Sequence, residues 1–291
     1  MESYCPRFCS EFNRPMFSID ERPHGKLDLK ETFQMGKELR SAVGTFKFVS
    51  LLTTLASLAH VWAVHPVPMF LLAYLTIWGA FFSICYLLGS LLLTICSPSS
   101  LANTQPNRLV KFTWMLYSVS STLECFTTVL YWAGRPADMG PITLGDVTMH
   151  CVVLAILLVQ GFLVDRIPLR LKHTGPTILV SLFYTAWLVL QNVVFQYNPE
   201  DDDDDDAIYD AIRWREDTIQ ALILSLIAGF VILPFFVILL WALSLPGRRY
   251  SSDDGLEEDK PDETGSTEVF DEQYGETGSE VDMEVCEVYE V

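Results

Sequence analysis

Six long apolar stretches limit what this chain can fold into. They lie approximately at residues 42–64, 68–95, 110–133, 147–165, 177–197 and 218–244. The hydrocarbon core of a bilayer is about 30 Å thick, so roughly 20 apolar residues in a helix suffice to cross it. The stretches do not show the alternation over about ten residues that is typical of a membrane β-barrel strand. We therefore predict an all-α, polytopic transmembrane helical bundle with about six spans.

Charge divides the chain into three parts. Its 291 residues carry a formal net charge of -18 at pH 7, and the acidic residues are concentrated in the run Asp201–Asp206 and after Arg249. The C-terminal part has too few large apolar residues to offset the entropy cost of ordering. We predict a cytoplasmic N-terminal segment (1–41), a transmembrane domain (42–245) and a disordered acidic cytoplasmic tail (246–291).

Lysine and arginine cluster next to alternate ends of the spans. The basic groups are Lys26, Lys30, Lys37 and Arg40; Arg108 and Lys111; Arg166, Arg170 and Lys172; and Arg248 and Arg249. Because cytoplasmic loops of membrane proteins carry an excess of these residues, both termini are predicted to face the cytoplasm. The plasma membrane and an internal membrane fit equally well. Membrane lipids are therefore expected partners, and no basic patch for nucleic acid is present.

Three polar side chains stand out in the outer half of the predicted spans. From the helical rise, Thr76 lies about 12 Å, Glu124 about 13 Å and His150 about 5 Å from the non-cytoplasmic end. Ionisable residues within a span are costly, which makes Glu124 and His150 functional candidates. Structural roles remain open: Glu124 hydrogen-bonded to a neighbouring helix, His150 hydrogen-bonded to Asp146, and Thr76 bonded to a carbonyl of its own helix.

Three sequence segments, in order, resemble one superfamily. They are "FLLAYLTIWGAFFSICYLL", "FTWMLYSVSSTLECFTTVLYW" and "TMHCVVLAILLVQGFLVDRIPLRLKHTGPTILVSLFYTAWLVLQN", and the likeness covers roughly residues 66–198. They resemble the rolling stone proteins and the androgen-induced and androgen-dependent membrane hydrolases. The resemblance implies a multispan enzyme that cleaves fatty acid esters of hydroxy fatty acids with a Thr nucleophile and a His base. By motif position these residues are Thr76 and His150.

The other expected site residues support that chemistry. Asp146, one turn before His150, is expected to orient the imidazole, and Trp78 and Tyr74 are candidate donors to the oxyanion. A lipid ester is the expected substrate. We predict no cofactor and no metal site, because the sequence has no Walker loop, dinucleotide glycine motif or paired-cysteine spacing.

Two other functions remain open. The sequence "LGDVTMH" lacks the Asn-His pair that precedes the histidine in the hydrolases, and the first span and acidic tail match the rolling stone branch better. That branch is associated with muscle-cell fusion, so a non-enzymatic protein of cell adhesion, fusion or signalling is the alternative. Its C-terminal Val291 would suit capture by a cytoplasmic scaffold. A proton-coupled carrier using Glu124 and His150 is a third interpretation. It has less support, because no two spans are interrupted by Gly or Pro at matching positions, as is typical of carriers.

Overall fold

The computed structural model describes residues 37–65, 68–96, 108–135, 140–167, 169–195, 212 and 214–253. Within these ranges the chain is helical, with no strand, which confirms the predicted all-α fold. Five of the described helices are long and apolar enough to cross a membrane. The run Asp201–Asp206, residues 1–36 and the predicted disordered tail beyond Asp253 lie outside the described residues.

The described residues form six helices that follow the predicted spans. Their bounds are Lys37–Val64 (α1), Leu75–Cys96 (α2), Arg108–Gly134 (α3), Leu144–Val164 (α4) and Thr174–Leu190 (α5), with α6 consisting of Thr218–Ile227, Ala228–Ile232 and Leu233–Asp253. Three segments have π-helical hydrogen bonding: Thr148–Val152 and Val159–Val164 in α4, and Ala228–Ile232 in α6. A fourth, Gln191–Phe195, continues α5.

The second predicted span begins with a separate short helix. Residues Pro68–Ala73 form a 3-10 helix, and α2 begins only at Leu75. The last carbonyls of the 3-10 helix are held by side chains: Leu72 O accepts from Trp78 Nε1 and Trp187 Nε1, each at 2.9 Å. Ala73 O accepts from the hydroxyl of Tyr184 at 2.7 Å. These bonds satisfy carbonyls that a continuous helix would have used itself.

Helix α3 lies at the centre of the bundle. It packs against α2, α4, α5 and α6, and every residue from Leu116 to Thr127 is buried. It is the predicted span that is absent from the five membrane-crossing helices, because serine, threonine and Glu124 lower its apolarity. At 27 residues it measures about 40 Å. A polar helix is tolerated at membrane depth when protein, and not lipid, surrounds it.

Small residues let α2 and α3 approach closely. A Cβ added to Gly79 would lie 2.9 Å from Glu124 Oε1, and one added to Gly89 would lie 2.9 Å from Thr113 Oγ1. Ser83 stands one turn after Gly79 and is fully buried. Small residues at such intervals are typical of helix contacts in membranes. The main apolar cluster, including Tyr86, Leu123 and Leu157, joins these two helices to α4.

Candidate active site

Thr76 lies at the beginning of α2, directly after the break that follows the 3-10 helix. It is the second residue of the helix and is half-buried. Among the described residues its hydroxyl has no hydrogen-bond partner, although many other hydroxyls of the bundle donate to a carbonyl one turn earlier. The hydroxyls of Thr54, Thr113 and Thr127, for example, each donate to a carbonyl one turn earlier. The Thr76 hydroxyl therefore remains available for another interaction.

His150 lies in the π-helical turn Thr148–Val152 near the start of α4. Its imidazole stacks on the ring of Tyr131 from α3, with 3.9 Å between ring centroids and 9° between the planes. The Nδ1 atom is buried and has no hydrogen-bond partner in the described part of the chain. Turns of π-helix occur frequently at functional sites. The aromatic contact fixes the ring while leaving a nitrogen free to take a proton.

Asp146 stabilises the start of α4. The backbone N–H of Thr143 donates to Asp146 Oδ2 at 2.8 Å, and the N–H of Asp146 donates to Thr143 Oγ1 at 3.2 Å, which completes a capping box. Arg135 Nη1 lies 3.5 Å from Asp146 Oδ2 and also donates to the hydroxyl of Tyr131. No hydrogen bond between Asp146 and His150 is found within the described ranges. Asp146 is connected to the imidazole through Arg135 and the stacked Tyr131 ring.

The segments that carry Thr76 and His150 meet in a small apolar cluster. Ile77, next to Thr76, and Met149, next to His150, are both buried in it, together with Leu71 and Ala80. The hydroxyl and the imidazole are not hydrogen-bonded to each other among the residues described. The structure thus brings the two segments together at one end of the bundle, called here the His150 end, without direct contact between the two polar groups.

The two candidate oxyanion donors have other contacts. The indole N–H of Trp78 donates a hydrogen bond to Leu72 O, and the Trp78 ring packs edge-on against Tyr184 with centroids 5.6 Å apart. Tyr74 lies at the junction between the 3-10 helix and α2, and its ring packs edge-on against Phe70 at 5.7 Å. Through its hydrogen bond to Leu72 O, Trp78 holds the backbone that precedes Thr76.

An apolar groove runs between α2 and α5 close to this junction. Its volume is about 400 Å³, and it is lined by Trp78, Phe82, Val180, Phe183, Ala186, Trp187 and Leu190. Trp78 and Trp187 are the residues that bind Leu72 O, so the groove wall and the start of α2 are parts of one structure. A groove of this size and composition suits an acyl chain better than a polar ligand.

Glu124 lies deeper, on the central helix. It is completely buried; Ser83 Oγ lies 3.4 Å from Oε1, and Oε2 has no hydrogen-bond partner in the described ranges. No ion pair with Glu124 is found among the described lysines, arginines and histidines. Its carboxyl group packs against Gly79 and Ser83 of α2, and it makes no hydrogen bond to Thr76 or His150 within the described ranges.

Sequence reasoning missed an ionic network at the opposite end of α4, called here the Asp165 network. Lys47 Nζ lies 2.5 Å from Asp165 Oδ1 and donates to Thr94 Oγ1 at 2.8 Å. The hydroxyls of Tyr86 and Ser90 donate to Asp165 Oδ2 at 2.7 and 2.6 Å. Lys47 stands within the first apolar stretch, and a charge there requires a partner, which is the signal that could have found the network.

A second overlooked pair joins α3 to the segment before α5. Ser118 Oγ lies 2.7 Å from His173 Nδ1, and both residues are buried. The structure places this histidine in the 3-10 helix Leu171–His173, packed against α3. A serine beside an imidazole is a nucleophile arrangement. At 1% and 0% exposure, however, Ser118 and His173 offer a substrate no access.

The described residues contain no group of His, Cys, Asp and Glu that could hold a metal ion. No protein-family model matches the chain, and no curated protein and no solved structure matches it.

Proposed function

We propose that this protein is an integral-membrane esterase of lipid esters, of the class of fatty acid esters of hydroxy fatty acids, with Thr76 as nucleophile and His150 as base. The observation that carries the proposal is the shared cluster of Ile77 and Met149. The residues next to Thr76 and His150 meet in it, and neither the Thr76 hydroxyl nor His150 Nδ1 has a hydrogen-bond partner in the described part of the chain. The apolar groove beside Trp78 provides a place for an acyl chain.

The chemistry follows from these groups. Thr76 Oγ1 attacks the ester carbonyl and forms a bond to its carbon, while His150 takes the hydroxyl proton. Collapse of the tetrahedral intermediate breaks the bond to the alcohol, which leaves with the proton from His150. Water then attacks the acyl-threonine and gives a proton to His150; the bond between the acyl carbon and Thr76 Oγ1 breaks, His150 returns the proton to Oγ1, and the fatty acid is released. The half-buried hydroxyl and the imidazole must approach one another when substrate binds, as catalytic pairs often do.

Orientation and location are part of the proposal. With both termini in the cytoplasm, the His150 end faces the non-cytoplasmic side, and substrate enters from that leaflet through the groove between α2 and α5. The proposal holds for the plasma membrane and for an internal membrane.

The test is hydrolysis by the purified protein in nanodiscs. Palmitic acid esters of hydroxystearic acid are supplied, and the released fatty acid is measured by mass spectrometry. We expect Thr76→Ala and His150→Ala each to reduce the rate by roughly 100-fold or more, and Thr76→Ser to retain part of it. Thr53→Ala is the matched control, because Thr53 is a half-buried threonine of α1 outside the proposed site.

The alternative function gives the opposite outcome. If hydrolysis by the wild type does not exceed that of empty nanodiscs, or if Thr76→Ala hydrolyses as fast as the wild type, the esterase is wrong. The non-enzymatic function in adhesion, fusion or signalling then remains. It predicts that removal of residues 250–291, which include the proposed scaffold contact at Val291, abolishes activity in a cell-fusion assay while Thr76→Ala does not.

A further inference from the structure

Four side chains that each have a polar atom without a partner in the described part of the chain form a line on one face of α3. They are Tyr117, Glu124, Thr128 and Trp132, separated by seven, four and four residues. These spacings place all four on the same side of a helix. From Tyr117 to Trp132 the line measures about 22 Å along the axis, which is most of the thickness of a hydrocarbon core. We call these four residues the polar stripe.

Each residue of the polar stripe has a buried polar atom without a hydrogen-bond partner in the part of the chain described. The atoms are Tyr117 Oη, Glu124 Oε2, Thr128 Oγ1 and Trp132 Nε1. Other hydroxyls of α3 behave differently: Ser118, Thr122 and Thr127 donate to backbone carbonyls of the preceding turn. Buried polar groups are usually satisfied by protein or by ordered water. The four atoms of the polar stripe lie in line, and none has a protein partner in the described ranges.

Ionic groups lie at both ends of the polar stripe. At one end the Tyr117 ring contacts Tyr86, with 5.0 Å between centroids, and the Tyr86 hydroxyl donates to Asp165, the partner of Lys47. Gln160 Oε1, another buried acceptor without a partner in the described ranges, belongs to this end because Gln160 Nε2 lies 3.5 Å from Asp165.

At the other end, Tyr131 precedes Trp132 and stacks on His150. The hydroxyl of Tyr131 accepts a hydrogen bond from Arg135, which pairs with Asp146. The polar stripe therefore connects two groups of ionisable residues across the bundle.

Glycines lie opposite Tyr117 and Glu124, the two residues that bound the longest step of the polar stripe. A Cβ on Gly161 would overlap the Tyr117 ring, and one on Gly79 would lie 2.9 Å from Glu124 Oε1. From α2, Ser83 also faces Glu124. Ser121 lies between Tyr117 and Glu124 on the same face, and its hydroxyl donates to Tyr117 O at 2.7 Å, which leaves its oxygen free to accept. Polar atoms thus recur about once per helical turn along the line.

We propose that the polar stripe is a proton path through the bundle, with Glu124 as the group that passes protons between bridging water molecules. Residues one turn apart are about 5–6 Å apart at Cβ, so single water molecules can bridge them. Glu124 accepts a proton on one oxygen from the water on one side and releases a proton from its other oxygen to the water on the far side. One positive charge crosses, no bond to carbon changes, and the membrane potential or a pH difference drives the transfer.

This function goes beyond ester hydrolysis and does not depend on it. Thr76 is not a member of the polar stripe, and hydrolysis needs no net proton transfer across the membrane. The two proposals can therefore fail separately.

The test uses the full-length protein in proteoliposomes that enclose a pH-sensitive dye. A potassium gradient with valinomycin imposes a membrane potential, and the initial rate of internal pH change is recorded. We expect the wild type to exceed empty liposomes by about tenfold or more, and Glu124→Gln to remove most of that excess, since an amide cannot exchange a proton in this way. Thr128→Val, which removes one oxygen and keeps the shape, should lower the rate severalfold.

The matched control is Thr122→Val, because Thr122 is a buried threonine on the opposite side of α3. Its rate should equal that of the wild type. A wild-type rate equal to that of empty liposomes, an unchanged rate in Glu124→Gln, or an equal loss in Thr122→Val and Thr128→Val would each overturn the proposal.

A second measurement covers the case in which Glu124→Gln does not fold. A hydrophobic carbodiimide, which modifies protonated carboxyl groups from an apolar environment, is applied to the wild type. We expect an adduct on Glu124 and loss of proton flux in proportion to labelling. Flux that continues unchanged when Glu124 is fully labelled contradicts the proposal. In parallel, Thr76→Ala should lose ester hydrolysis and keep proton flux, which separates this proposal from the esterase.

Discussion

Helices α3 and α6 have opposite compositions and opposite surroundings. All residues from Leu116 to Thr127 of α3 are buried, and they include five serines and threonines, Tyr117 and Glu124. In the most apolar stretch of α6, only 22% of the residues are buried, and Ile219, Phe230 and Val231 are widely exposed. In a soluble protein the apolar helix would be central. Here polar residues gather where protein excludes lipid, and the most apolar helix faces outward.

The surroundings of α3 and the outer face of α6 have different roles. The contacts that determine how the helices fit together, and the groups that could perform chemistry, lie along α3 and the faces of α2 and α4 that meet it. The outer face of α6 needs to be apolar. No partner among the described residues packs against it, so the shapes of its side chains are not constrained. Substitutions should therefore have large effects in the first region and small effects in the second.

The largest expected effect comes from an unpaired charge in the interior. Asp165→Ala leaves Lys47, which is 3% exposed, without its partner, and this should lower the free energy of unfolding by roughly 3–5 kcal/mol. Thermal unfolding of the detergent-solubilised protein measures this loss of stability. The double variant Lys47→Met with Asp165→Leu should be less destabilised than Asp165→Ala, because no buried charge remains. Equal stability of Asp165→Ala and the wild type would contradict this assignment.

A matched pair of leucines tests the contrast directly. Leu123 of α3 is completely buried, whereas Leu222 of α6 is 47% exposed. Leu123→Ala should cost roughly 2–5 kcal/mol through lost packing and a cavity, whereas Leu222→Ala should change stability by about 0.5 kcal/mol or less. Both are measured by unfolding in the same detergent. Similar losses for the two variants would mean that α3 is not the packing centre.

A smaller effect is expected where helices approach closely. Gly161→Ala places a methyl group against the Tyr117 ring and should cost about 1–3 kcal/mol by overpacking. Gly175→Ala is the control, because nothing lies within 4 Å of a Cβ at that position of α5. The control should be neutral or slightly stabilising. If Gly161→Ala behaves like its control, the close approach of α4 to α3 is not present.

Hydropathy was sufficient to predict the helices but not their arrangement. The predicted spans 110–133 and 147–165 correspond to α3 and α4, because a long apolar stretch in a membrane has few alternatives to a helix. The start of α2 was placed at residue 68 instead of Leu75, since the side chains that hold Leu72 and Ala73 come partly from α5. Contacts between distant segments cannot be read from one segment's apolarity.

The same limit applies to the site. Glu124 and His150 were selected as ionisable residues within predicted spans, whereas Thr76 was selected only by its motif position in the resemblance to the membrane hydrolases. The pairing of Lys47 with Asp165 was missed, because no local pattern indicates that α1 and the end of α4 are neighbours. Likewise, the stacking of His150 on Tyr131 depends on a π-helical turn that has no recognisable sequence signal.

The most direct test of the proposed enzyme is the position of a covalent adduct. The purified protein is treated with a fluorophosphonate probe that carries a long alkyl chain, and the modified residue is identified by peptide mass spectrometry. The account predicts one adduct, on Thr76, that is absent in Thr76→Ala and strongly reduced in His150→Ala. An adduct on Ser118, whose hydroxyl lies beside His173, or no adduct at all, would contradict it.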